Sequence, residues 1–140
     1  VVKKCHLCIA VWLLTAGLPL AQAEMVVIVH PSNKASLSNL QIARIFMGKL
    51  HTYPSGKEAV PVDLPRNNAL RQSFSKKILN KNPTQLRSYW SKVIFSGKGF
   101  PPTIFSGEKA VKQYVANHPG AIAYIDRNLV DAAVKVLKRR

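Results

Sequence analysis

Arg66, Asn67 and Asn68 follow Pro65 in a polar loop between the apolar run Val60-Pro61-Val62 and a helical pattern that begins at Ala69. Backbone N–H groups at a helix start point outward and carry the positive end of the macrodipole, so they hold an oxyanion. Amide side chains and a guanidinium beside them add donors and charge. The loop His30-Pro31-Ser32-Asn33, running on to Ser38, has the same character. The candidate anion-binding set is therefore Ser32, Asn33, Ser38, Arg66, Asn67 and Asn68. In an open α/β sheet ligand sites form at the carboxyl ends of strands, where both loops are expected to lie. Ser38 and Asn67 or Asn68 also belong to the residue types that cap helices, a structural role that competes with ligand binding.

Other chemistry finds little material. His30, His51 and His118 are far apart with no paired spacing, which argues against a metal site. Glu24, Glu58, Asp63, Glu108, Asp126 and Asp131 contain no evident dyad for acid–base hydrolysis. Ser96-Gly97-Lys98-Gly99 lacks both the upstream glycine and the Ser or Thr after lysine that a nucleotide-binding P-loop needs. Tyr89 and Trp90 lie on the apolar stripe of a helix, so they read as core and not as a stacking platform for bases. No catalytic residue, metal or cofactor is expected, nor is nucleic acid as a partner.

The elements that must position the two loops are legible. Met25 to Val29 is an apolar run of strand length, as in a sheet covered on both faces. Ser38-Asn39-Leu40-Gln41 is a capping box opening a helix with Ile42, Ile45 and Phe46 on one face and a stop at Gly48. Ala59 to Asp63 reads as a strand and Ala69 to Leu79 as a helix burying Leu70, Phe74 and Ile78, with Asn80 as its stop. Asn82-Pro83 opens a third helix with Leu86, Tyr89, Trp90, Val93 and Ile94 on one stripe, ended by Gly97. A short strand at Thr103 to Phe105, a helix over Gly107 to Asn117, and strands over Ala121 to Ile125 and Ala133 to Leu137 complete the order. This alternation predicts an α/β fold: a single layered domain with a mixed β-sheet flanked by helices.

Bulk properties suggest an address. Lys3 and Lys4 precede an apolar run from about Leu7 to Leu20 and then Ala21-Gln22-Ala23, the pattern of a signal peptide cleaved before Glu24. The run is too short and too interrupted by Gly17 and Pro19 to read as a membrane span. Both cysteines, Cys5 and Cys8, fall in that leader. A 117-residue domain over 24–140 without disulfides suits a bacterial periplasm. Its 19 basic residues against 6 acidic ones give a field that attracts anions without choosing among them.

Four phrases in order resemble the phosphate-binding substrate-binding proteins of ABC transporters, members of the type 2 periplasmic-binding superfamily. They are Ile45-Phe46-Met47-Gly48-Lys49, similar to I-F-x-G-K; Val60-Pro61-Val62 leading to a helix with Phe74; Tyr89-Trp90 before Phe95 to Pro102; and Pro119 to Ile125, similar to P-G-A-I-G-Y-V. The resemblance implies one lobe of that two-lobed fold. It implies a non-catalytic periplasmic solute-binding protein for phosphate or a related oxyanion, partnered by a transporter permease or a sensor protein, with a second copy available to complete the cleft. The family's ligand loop reads R-x-D-G-S-G-T; laid on this chain, its arginine falls on Asp63, its aspartate on Pro65, its serine on Asn67 and its threonine on Ala69. Arg66 or Arg71 would then supply the cation from a neighbouring position. The alternative is a basic envelope interaction protein that has lost its small ligand and contacts a partner protein, an anionic polymer or a membrane surface.

Overall fold

A computed structural model describes residue 17 and residues 23–140. The expected leader, apart from Gly17 and Ala23, lies outside the described residues. Among those residues no helix is long and apolar enough to cross a membrane.

The chain runs β1 (Met25–Val29), β2 (Ser36–Leu37), α1 (Asn39–Phe46), β3 (Val60–Asp63), α2 (Ala69–Lys77), α3 (Pro83–Phe95), β4 (Thr103–Ile104), α4 (Glu108–Asn117), β5 (Ala121–Asp126), a 3-10 turn, β6 (Lys135–Val136) and β7 (Lys138–Arg139). Five strands form a mixed sheet in the order β4-β3-β5-β1-β6, and β2 pairs with β7 in a separate two-stranded piece. The expected α/β layering is present. Every residue of β5 from Ala121 to Ile125 is buried, so its alternating side chains are covered on both faces. Pro61 fits inside β3 because β4 pairs only with Val62 and Asp63. The Val60 N–H bonds to the Gly120 carbonyl on the β5 side, so the missing Pro61 N–H falls where β3 has no neighbour.

Strand direction is where the structure departs from expectation. β3 runs parallel to β5, whereas β1 runs antiparallel to it. Val29, the last residue of β1, and Pro61, near the start of β3, are both level with Ile122. The carboxyl ends of β1 and β3 therefore lie at opposite edges of the sheet. A strand's direction is set by which neighbour it pairs with, and that pairing is not local in sequence.

The helices sit where their signals place them. Ser38 caps α1 in a reciprocal box with Gln41, and Asn82 does the same for α3 with Gln85. The stops at Gly48 and Gly97 adopt φ of 69° and 68°, a region costly for residues with a Cβ. Asn80 takes the same left-handed conformation at φ 52° after α2. Phe46 of α1, Phe74 of α2 and Tyr124 of β5 form an aromatic cluster, with Phe74 and Tyr124 stacked at 4.1 Å and Phe46 tilted against Phe74 at 4.6 Å. On the α3 stripe Leu86 and Trp90 are buried, Tyr89 and Val93 partly so, and Ile94 is exposed. The strand expected over Ala133 to Leu137 shrinks to Lys135–Val136, because the Asp131 side chain and carbonyl bond the Ala133 and Val134 N–H groups and hold a turn.

Candidate functional site

At the β3–α2 junction the turn Pro65 to Asn68 is closed by the Asn68 N–H on the Pro65 carbonyl at 2.9 Å. Asn68 is the N-cap of α2: its Oδ1 accepts from the Leu70 N–H at 2.8 Å and the Arg71 N–H at 3.3 Å. Two of the helix's outward donors are thus already engaged. Arg66 and Asn67 form the exposed crest of this turn. Arg66 has no carboxylate partner among the described residues.

Beneath the crest lies a charge cluster that sequence reasoning did not assemble. Asp63, at the end of β3, pairs with the Arg71 guanidinium at 3.4 Å, each side chain being 13% exposed. The same carboxylate accepts from the Leu64 N–H at 2.8 Å and from the Tyr124 hydroxyl. Arg71 also donates to the Leu64 carbonyl at 2.9 Å. Burial, followed by the negative charge of Asp63, pushes the Tyr124 phenol far above its ordinary value, so it stays protonated as a donor. Of the two arginines expected to supply a cation, Arg71 is neutralised within the fold and Arg66 is the one turned to solvent. The signal for this cluster was weak, since Tyr124 lies 61 positions from Asp63.

The first loop lies at the other edge of the sheet. Ser32 bonds the His30 ring at 2.7 Å, and Asn33 Oδ1 accepts from the Ala35 N–H at 2.8 Å. The Asn33 carbonyl receives Lys135, and Ser38 is spent as the α1 cap. Tyr53 closes the same edge by donating to the Gly120 carbonyl at 3.0 Å, and burial raises its phenol well above the usual range. Pairing of β7 with β2 brings the carboxyl-terminal arginines to the start of α1, where Arg139 bonds Asn39 and Arg140 reaches Gln41 at 3.2 Å. No acidic side chain stands in the first turn of α1 to offset them. The six candidates therefore divide into two clusters: Arg66, Asn67 and Asn68 at one edge, and Ser32, Asn33 and Ser38 at the other.

A mixed sheet in this strand order, flanked by helices, is the fold of one lobe of a periplasmic binding protein. Solved structures of that kind align with it. A phosphate ABC transporter substrate-binding protein from Clostridium perfringens, solved with bound phosphate, aligns with a TM-score of 0.66 at 21% identity, over 84% of this chain and 45% of that one. An ABC-type phosphate transport receptor from Vibrio cholerae aligns with a TM-score of 0.63 at 15% identity, over 84% and 46%. PstS from Borrelia burgdorferi aligns with a TM-score of 0.63 at 14% identity, over 84% and 47%. The chain spans a little under half the length of the proteins it matches. At these identities the likeness is one of fold. No protein-family pattern matches the sequence, and no curated protein matches it.

Proposed function

We propose that this chain is a non-catalytic solute-binding lobe, exported to the periplasm, that takes phosphate or a related oxyanion at the turn between β3 and α2. The observation that carries the reading is the exposed pair Arg66 and Asn67 at the N-terminus of α2, on the carboxyl edge of the parallel strands β3, β4 and β5. The likeness in fold to a transporter substrate-binding protein solved with bound phosphate, and to a phosphate transport receptor, supports it. In one lobe the anion stays half hydrated, so its binding is weak until a second lobe or a second copy covers it. A transporter permease or a sensor protein would receive the loaded lobe.

The test is a titration of residues 24–140 with phosphate and with sulfate at fixed ionic strength, followed by calorimetry and by backbone amide shifts. The expected outcome is a saturable shift at Asn67 and Asn68, weakened about fivefold in Arg66→Ala, the loss of one exposed charge–anion contact of about 1 kcal/mol. Shifts at Ser38 and Asn39 instead would move the anion to α1 beside Arg139 and Arg140. Silence at both loops would remove the reading.

A second reading has its own observation. Phe95 is 96% exposed and Phe100 81% exposed, flanking Lys98 after α3. Large exposed apolar side chains in a basic setting favour contact with a partner in the envelope. Partner binding that falls steeply with salt and is unchanged in the double variant Asn67→Ala, Asn68→Ala would favour this reading over the first.

A further inference from the structure

Between α2 and α3, closed at one side by the segment through β4, lies a groove of about 770 Å3. That is within the range of roughly 300–1,000 Å3 in which small-molecule sites fall. Leu86, Trp90, Ile94, Pro101 and Ile104 supply its apolar surface. Ile94 and Ile104 remain 46% and 48% exposed, so part of this surface has no cover from the described residues. Arg66, Lys76, Lys81 and Arg87 stand along it, and among the described residues no carboxylate lines it. The whole stretch from Leu64 to Gly107, which builds the groove, holds eight lysines and arginines and not one aspartate or glutamate.

We infer that this groove binds a single-chain anionic amphiphile, its apolar body against Trp90, Ile94 and Ile104 and its phosphate or carboxylate head among Arg87, Lys76 and Lys81. Each part of the groove selects against another occupant. A bare oxyanion gains nothing from the apolar surface. A second copy of the chain would set Arg66, Lys76, Lys81 and Arg87 against the same four cations. A base has no ring face to stack on, because Trp90 is only 9% exposed. An uncharged apolar molecule would leave the basic rim unanswered. The inference goes beyond the oxyanion reading and does not use Asn67 or Asn68.

Trp90 reports on the site, because Trp12 and Trp90 are the two tryptophans of the chain. In the full chain carrying Trp12→Phe, dodecyl phosphate added below its micellar concentration should shift Trp90 emission and saturate at one molecule per chain. Arg87→Ala and Ile94→Glu should each weaken that binding about tenfold, the loss of a charge-assisted contact or of apolar cover. Lys109→Ala and Leu40→Glu, at exposed positions on α4 and α1 away from the groove, should leave it unchanged. Equal weakening by Lys109→Ala would mean that net charge alone attracts the amphiphile and would overturn the inference. So would the same emission change with inorganic phosphate. A phosphate-induced shift at the Asn67 amide, together with no response of Trp90 to dodecyl phosphate, would sink this inference and leave the oxyanion reading standing.

Discussion

Asp63 occupies the middle of the electrostatics at the β3–α2 edge. Its carboxylate takes the Arg71 ion pair, the Tyr124 hydroxyl and the Leu64 N–H, so the fold's own anion satisfies donors that lie just under the Arg66–Asn67 crest. The substitution Asp63→Asn keeps the shape and one acceptor oxygen but leaves the Arg71 guanidinium without its counter-charge. Stability is expected to fall by about 1–3 kcal/mol, since a largely buried charged partner is removed. Phosphate affinity at the same edge is expected to rise about fivefold, because a negative charge near the bound anion disappears. Denaturant unfolding and calorimetry on the same variant measure the two opposed effects. Unchanged phosphate affinity would mean that the bound anion lies beyond the influence of Asp63. In the sequence Asp63 was legible only as a reversed charge in the expected ligand loop; its partner across the sheet was not legible.

The helices and strands explain the sequence phrases by packing. Tyr89 donates to the Met47 carbonyl at 2.6 Å, and the Trp90 ring lies 3.4 Å from where a Cβ on Gly48 would stand. Ile45 to Lys49 and Tyr89-Trp90 are thus two sides of one joint between α1 and α3. Pro119-Gly120-Ala121 is a second joint: a Cβ on Gly120 would sit 2.8 Å from the Glu58 carbonyl oxygen. That contact is with backbone, and the neighbouring Gly120 carbonyl is held by Val60 and Tyr53. Gly120→Ala is expected to destabilise by about 1–3 kcal/mol through overpacking. Gly107→Ala, where an added Cβ meets nothing within 4 Å and φ is 176°, is expected to change stability far less. Urea midpoints compared at equal m-values give the answer. Equal effects of the two would mean that the approach at Gly120 relaxes without strain.

Across the whole molecule the net charge of +15 is unevenly placed, with the α2–α3 side free of carboxylates from Leu64 to Gly107. Exposed charges act over about one Debye length, so this field is strong at low salt and screened at high salt. Binding of the chain to polyphosphate is expected to weaken about tenfold or more as salt rises from roughly 50 to 200 mM, as for other linear polyanions. Affinity that ignores salt would show that the charge is not what recognises the polymer.

Local chemistry wrote much of this fold into the sequence. The capping box at Ser38, the helix start at Asn82-Pro83, the stops at Gly48, Asn80 and Gly97, and the apolar runs of β1 and β5 all act within a few residues, so they were legible and the α/β layering with them. The two-residue strands β2 and β7 were too short to leave a periodic trace. Tertiary structure alone decided three things. It turned β1 against β5 and so separated the two loops; it set the Asp63 carboxylate against both Arg71 and the Tyr124 hydroxyl; and it laid α2 beside α3 to open a basic groove. Each depends on contacts between residues distant in the chain, made by pairing and packing that no short stretch of sequence specifies.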